Sequence, residues 1–115
     1  MVEPNKPAYI TEIGTDLEYL QAAVKGHIEL ISYLHDPKAI MVGNDEAKLI
    51  GMKGNRHIDY GGVIAGPFFV CGDGGEDFRS LTDEEVERYM QKYAEPEEIS
   101  DQEVADDTGF TFVSL

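Results

Sequence analysis

The chain has 115 residues, 42% of them apolar, and sets 23 Asp and Glu against 9 Lys and Arg, a formal net charge of −14. That length accommodates one domain around one modest core. The charge opposes binding to bulk DNA, RNA or an anionic membrane, and suits solubility, a basic protein partner or imitation of nucleic acid. The opening MVEPNKPAYI lacks an apolar core behind a basic flank, so no signal peptide is read, and no apolar run approaches the ~18 residues of a membrane span. The single cysteine, Cys71, cannot make an internal disulfide, which fits a reducing cytoplasm.

In chain order, AYITEI alternates as a strand and ends at Gly14. Thr15 and Glu18 have the spacing of a capping box, Leu17, Leu20 and Val24 follow at helical spacing, and Gly26 is placed to stop the helix. HIELISYL is a second strand, broken at Asp36-Pro37. KAIMVG and AKLIGM suit two strands of a hairpin turning at Asn44-Asp45, although Asn44 equally suits the cap of a short helix. GGVIAGPFFVCG is the most apolar piece and predicts a central strand bent near Gly66-Pro67, followed by a GDGGEDF loop. Thr82 and Glu85 form a second capping box, with Leu81 placed to staple onto Val86; Val86, Tyr89, Met90 and Tyr93 make a helical apolar stripe ending before Pro96. EPEEISDQEVADD holds seven acids and no base, the composition of a solvated linker, and GFTFVSL alternates as a last strand. The expected organisation is a single α+β domain over residues 1–95, an acidic linker or tail over 96–109 and a terminal strand over 110–115. The domain is a mainly antiparallel sheet of four to five strands with two helices packed on one face.

The stretch KLIGMKGNRHI stands out in so acidic a chain. Lys48, Lys53 and Arg56 fall there with no acid among them, beside Gly51 and Gly54, and His57 follows. Arg offers a planar fork of donors to phosphate or carboxylate, Asn55 adds an amide, and glycines let backbone amides approach an anion. Lys53, Gly54, Asn55, Arg56 and His57 therefore form a candidate anion site; the alternative is a loop whose charges face water. CGDGGED lacks the Lys and Ser/Thr of a phosphate loop and the spacing of a calcium loop. His27, His35, His57 and Cys71 lack zinc spacing, and no nucleophile motif is present. No catalysis, metal or cofactor is expected.

Residues KLIGMKGNR, with GGVIAGPFFVCGDGGEDFRSLTDEEVERYMQKYAEPE and the opening YITEIGTDLEYLQAAVKGHIEL, resemble domain of unknown function 3846, a family carried by phages and plasmids. The similarity spans residues 8–97 and rests on the Asn55-Arg56 pair, the strand from Ile64 to Gly72, and the segment Gly75 to Leu81 leading into a helix. The acidic tail departs from that pattern. The resemblance implies a mobile-element accessory protein in the cytoplasm of a bacterial host, where such proteins often block host machinery.

Two functions are compatible with these residues. In the first, residues 53–57 sequester a small phosphorylated or nucleotide ligand, without chemistry, and Arg56→Ala abolishes binding while leaving the fold intact. In the second, an acidic inhibitor or nucleic-acid mimic docks on a basic groove of a host defence protein through Glu97, Glu98, Asp101, Glu103, Asp106 and Asp107, together with Asp83, Glu84 and Glu87. Neither involves direct nucleic-acid or membrane binding; a homo-oligomer suits a chain this small.

Overall fold

Alternation along one strand organises the molecule. Met41 and Ala39 point to one side and Ile40 and Val42 to the other, so strand β2 (Ala39–Asn44) is apolar on both faces and must be covered on both. The computed structural model describes residues 1–14, 16–31, 38–58, 62–74 and 78–106. Helix α1 (Leu17–Val24) covers one face of β2, packing Leu20 and Val24 on Val42 and Phe69. Helix α2 (Asp83–Lys92) and the residue after it cover the other, placing Tyr89 and Tyr93 against Ala39, Met41 and Phe68.

The main sheet is antiparallel, with four strands in the order β1 (Ile28–Ile31), β2, β5 (Phe69–Asp73), β6 (Phe78–Arg79). Ile28 pairs with Asn44 across β1–β2, and Val42 with Phe69 across β2–β5. A second sheet pairs β3 (Gly54–His57) with β4 (Val63–Ala65). A third helix, α3 (Asp101–Asp106), packs on this small sheet. The α+β class and the antiparallel four-stranded sheet agree with the sequence. The two expected helices lie on opposite faces instead of one, because β2 presents apolar side chains both ways.

Several local expectations resolve differently. The predicted single strand over 63–72 is two strands in different sheets. Gly66 at φ 74° turns the chain between them, and a Cβ there would lie 2.7 Å from Met52 Sδ. AKLIGM is a run of turns, not a hairpin arm. The Asn44 side chain accepts from Glu46 N at 2.8 Å and donates to Val24 O at 3.0 Å, so it both starts that turn and closes the end of α1. The left-handed residue ending α1 is Lys25 (φ 62°); Gly26 is small because Asn44 Nδ2 packs against it. The N-cap of α1 is Asp16, and the proposed box partner Thr15 lies outside the described residues, as do Asp36-Pro37 and the strand predicted over 110–115.

The second capping box forms as expected. Thr82 Oγ1 accepts from Glu85 N at 3.2 Å, and Glu85 Oε1 accepts from Thr82 N at 2.9 Å. Arg79 adds a two-pronged contact to the Glu85 carboxylate, at 2.8 and 3.2 Å, and donates to Lys38 O at 2.8 Å. The Arg79 fork, aided by the Thr82 amide, holds the nearly buried Glu85 carboxyl down at about 2. One ionic knot thus fixes the start of α2 against β6 and the entry to β2.

Candidate functional site

Strand β3 carries the sequence GNRH, and its burial is unlike that of a basic loop. Asn55 and Arg56 are both 0% exposed. Arg56 Nη1 donates to Asn55 O at 3.0 Å and to Asn55 Oδ1 at 2.8 Å, while Nη2 donates to Lys6 O at 2.7 Å and Tyr93 O at 3.0 Å. Asn55 Nδ2 donates to Val2 O at 3.0 Å and Gly66 O at 2.9 Å. The carbonyls of Val2, Lys6, Gly66 and Tyr93 belong to other segments, so the pair sews the N-terminal residues, the β4–β5 turn and the end of α2 together. A buried guanidinium is costly without such acceptors. Burial pulls its pKa below the usual arginine value, opposed by the field of Glu97. Its Nε has no hydrogen-bond partner among the described residues.

The five residues of the expected anion site are therefore divided. Gly54 is buried, and a Cβ on it would lie 2.5 Å from Ile99 and 3.0 Å from Val104, so its smallness serves the docking of residues 99–104. Asn55 and Arg56 spend all but one of their side-chain donors facing inward on backbone and on each other. Lys53 is half exposed and stands 3.9 Å from Asp101. His57 is also half exposed and is clasped on both sides: Nδ1 lies 2.6 Å from Glu97 Oε1 and Nε2 lies 2.7 Å from Glu103 Oε1. The Glu97 oxygen also accepts from His57 N at 3.0 Å.

Residues 97–106, expected as a solvated linker, pack against β3. Ile99 and Val104 are 3% and 4% exposed and share a cluster with Ala47, Val63 and Ala65. The expected partner-binding acids split as well. Glu97 and Glu103 are taken by His57, Asp101 faces Lys53, and Asp106 accepts from Gln102 Nε2 at 2.8 Å. Glu98 is exposed, and Asp107 lies outside the described residues.

Only an imidazolium can donate from both ring nitrogens, so the clasp favours protonated His57. Hydrogen bonds to Glu97 and then Glu103 raise its pKa above 6.5. A pKa raised by folding means the clasp contributes in full below about pH 6.5 and is lost as pH rises through the folded value. Nearly half-exposed, the pair is screened and contributes less than about 1 kcal/mol. Protection of the Val104 amide, which bonds Ser100 O at 3.2 Å, is expected to fall on raising the pH from 6 to 9 after correction for intrinsic exchange, and His57→Gln is expected to remove that dependence. A pH-independent protection in wild type would contradict the clasp.

Away from β3, a groove of about 550 Å³ runs between residues 8–14 on one side and β5, β6 and α2 on the other. Its walls are mostly apolar, with Phe69, Phe78, Val86 and Met90 prominent. Cys71 lines it, and burial pushes its thiol up to about 11, which makes it a poor nucleophile at neutral pH. Among the described residues, no helix is long and apolar enough to cross a membrane.

Sequence inspection missed two features of this region: the inward orientation of Arg56 and the docked α3. The signals were weak, consisting of Gly54 beside the Asn-Arg pair and the apolar residues Ile99 and Val104 inside an acidic run. Neither a curated protein nor a solved structure matches this chain. A family model does match, described as domain of unknown function (DUF3846), over residues 1–94, from the first paired residues through α2 and the Tyr93 carbonyl that receives Arg56. The chain belongs to that family, with the α3 segment and its clasp on His57 lying beyond the matched region.

Proposed function

We propose that the protein is a non-enzymatic binding protein of the bacterial cytoplasm that docks its acidic surface on a basic partner. A nucleic-acid-binding host defence protein is the partner class that suits a phage or plasmid accessory chain. The observation that carries this reading is the fate of the bases. Of the nine bases, Arg56 is inside, Arg79 is bonded to Glu85, Lys53 faces Asp101 and Lys6 faces Glu3; Lys25, Lys38, Arg88 and Lys92 are exposed and Lys48 half-buried, but they are far outnumbered by acids, among them Asp83, Glu84 and Glu87, exposed along α2 beside Arg88 and Lys92, and Glu98 beyond it. The surface is left strongly negative, and a negative face speeds encounter with a positive one. Sequestration of a phosphorylated ligand at residues 53–57 is less favoured, because the Asn55 amide and four of the five Arg56 donors are spent or turned inward.

The test is displacement of duplex DNA from nucleic-acid-binding proteins of a bacterial host. Displacement is expected at low salt and its rate is expected to fall at least about tenfold on going to high salt. The combined change Asp83→Asn, Glu84→Gln, Glu87→Gln is expected to slow displacement severalfold without unfolding α2. No displacement across the panel, or displacement unaffected by the triple change and by salt, would contradict the reading.

A further inference from the structure

An irregularity in β3 gives the small sheet two different faces. Gly54 pairs with Ala65, Arg56 with Ile64 and His57 with Val63, so Asn55 is an extra residue on the β3 side. Because of it, Asn55 and Arg56 both turn toward the core, where Ile64 joins the cluster of Phe68 and Tyr93. Gly54 and His57 are left on the outer face, with Val63 and Ala65. That face is occupied. Ile99 and Val104 sit over Gly54 and against Ala47, Val63 and Ala65, and carboxylates flank them, Glu97 and Glu103 on His57 and Asp101 on Lys53.

The cover is separable from the domain beneath it. The Arg56 clamp closes on Tyr93 O, and among the described residues the cluster around Phe68 includes nothing after Tyr93. Residues 94–96, between the clamp and the cover, are exposed, and the family match stops at residue 94. The cover holds on through side chains, two apolar ones and three carboxylates whose basic partners are about half exposed. Lifting it leaves the main core closed and uncovers an apolar trough, Ala47, Met52, Val63 and Ala65, rimmed by Lys53 and His57. In a chain of net charge −14, such a basic rim around apolar residues is complementary to an acidic amphipathic segment. The seated sequence, Glu97-Glu98-Ile99-Ser100-Asp101-Gln102-Glu103-Val104, shows the pattern that fits: two β-branched apolar residues, with acids two residues before the first and two and four residues after it.

We propose that the outer face of the β3–β4 sheet is a binding surface for an acidic amphipathic segment of another protein, and that residues 97–106 occupy it in cis as a displaceable stand-in. This goes beyond the acidic docking surface and does not depend on it, since here the partner is acidic and this chain supplies the basic rim. The probe is a fluorescent peptide of residues 95–106, EPEEISDQEVAD, added to the full chain. Wild type is expected to bind it weakly, because the tethered segment competes at an effective concentration on the order of millimolar. Ile99→Asp with Val104→Asp in the full chain unseats the tether and is expected to tighten binding at least about tenfold, while the amides of α1 and α2 stay protected. Adding Gly54→Val fills the seat of Ile99 and is expected to abolish binding, as are Glu97→Lys and Glu103→Lys in the peptide. In wild type, the Val104 amide is expected to exchange at least about tenfold faster than the Val42 amide of β2, as a segment that opens without the domain does. The Gly54 and His57 amide signals of wild type are expected to shift when the peptide is added at about millimolar concentration. Equal exchange at Val104 and Val42, or unmoved Gly54 and His57 signals, overturns the proposal without any variant. Failure of the folded double variant to bind the peptide overturns it too. A wild-type dimer that grows with protein concentration and is lost in the double variant assigns the face to a second copy and overturns the foreign partner.

Discussion

Arg56→Ala is expected to destabilise the protein by about 3–5 kcal/mol, the cost typical of removing one member of a buried charged network. The change strips a fully buried side chain and leaves the carbonyls of Asn55, Lys6 and Tyr93 without that donor. It also uncouples the N-terminal residues from the end of α2, since Nη2 is shared between Lys6 O and Tyr93 O. Arg56→Lys is expected to rescue little, because an ammonium cannot reproduce a planar fork that reaches three carbonyls and an amide oxygen. Urea unfolding of both variants measures this. A loss below about 0.5 kcal/mol, the range of ordinary surface substitutions, would mean that Arg56 is not structural. The outcome reverses the sequence-based expectation, in which Arg56→Ala spares the fold.

Phe68→Ala is expected to cost a similar amount, about 3–5 kcal/mol, while Phe68→Leu is expected to cost less than about 1.5 kcal/mol. Phe68 is 0% exposed and sits where the N-terminal residues, β5 and the end of α2 converge. Its ring meets Tyr93 edge to face, with centroids 5.3 Å apart and planes at 83°. Its backbone bonds Val2 in both directions, so the truncated side chain leaves a cavity whose walls are pinned and cannot collapse onto it. Urea midpoints at unchanged slope are the readout. An Ala variant as stable as the Leu variant would show that this junction relaxes freely and is not the centre of the core.

What could be read from the sequence follows the range over which each feature is determined. The Thr82–Glu85 capping box is a contact three residues long, and it forms as its pattern predicts. The strands around Ile28–Ile31 and Ala39–Asn44, and the helices at Leu17–Val24 and Asp83–Lys92, follow from apolar periodicity within single segments. Arg56 is different. Its local neighbours are Lys53, Gly54 and His57, which suggest solvent, but its burial depends on carbonyls 50 and 37 residues away. The α3 segment misleads for a related reason. Its acids look solvated until His57 and Lys53 are brought opposite Glu97, Glu103 and Asp101 by β3. AYITEI lies outside both sheets: Ala8 bonds Tyr93 O and Tyr9 exchanges bonds with Met1, but the rest forms no strand among the described residues, because pairing depends on a neighbour that local pattern does not name. The division of residues 63–73 into two sheets turns on Gly66, whose positive φ the sequence permits but does not require.

The most direct test of the central claim, that the Asn55–Arg56 pair is an internal clamp and not an anion grip, is ¹⁵N NMR of the Arg56 guanidinium in the full chain as a nucleoside triphosphate is added. The structure predicts slowly exchanging, individually resolved Nη protons that do not move on addition. Averaged, solvent-exchanging Nη protons that shift as the nucleotide binds would contradict it and return residues 53–57 to ligand binding.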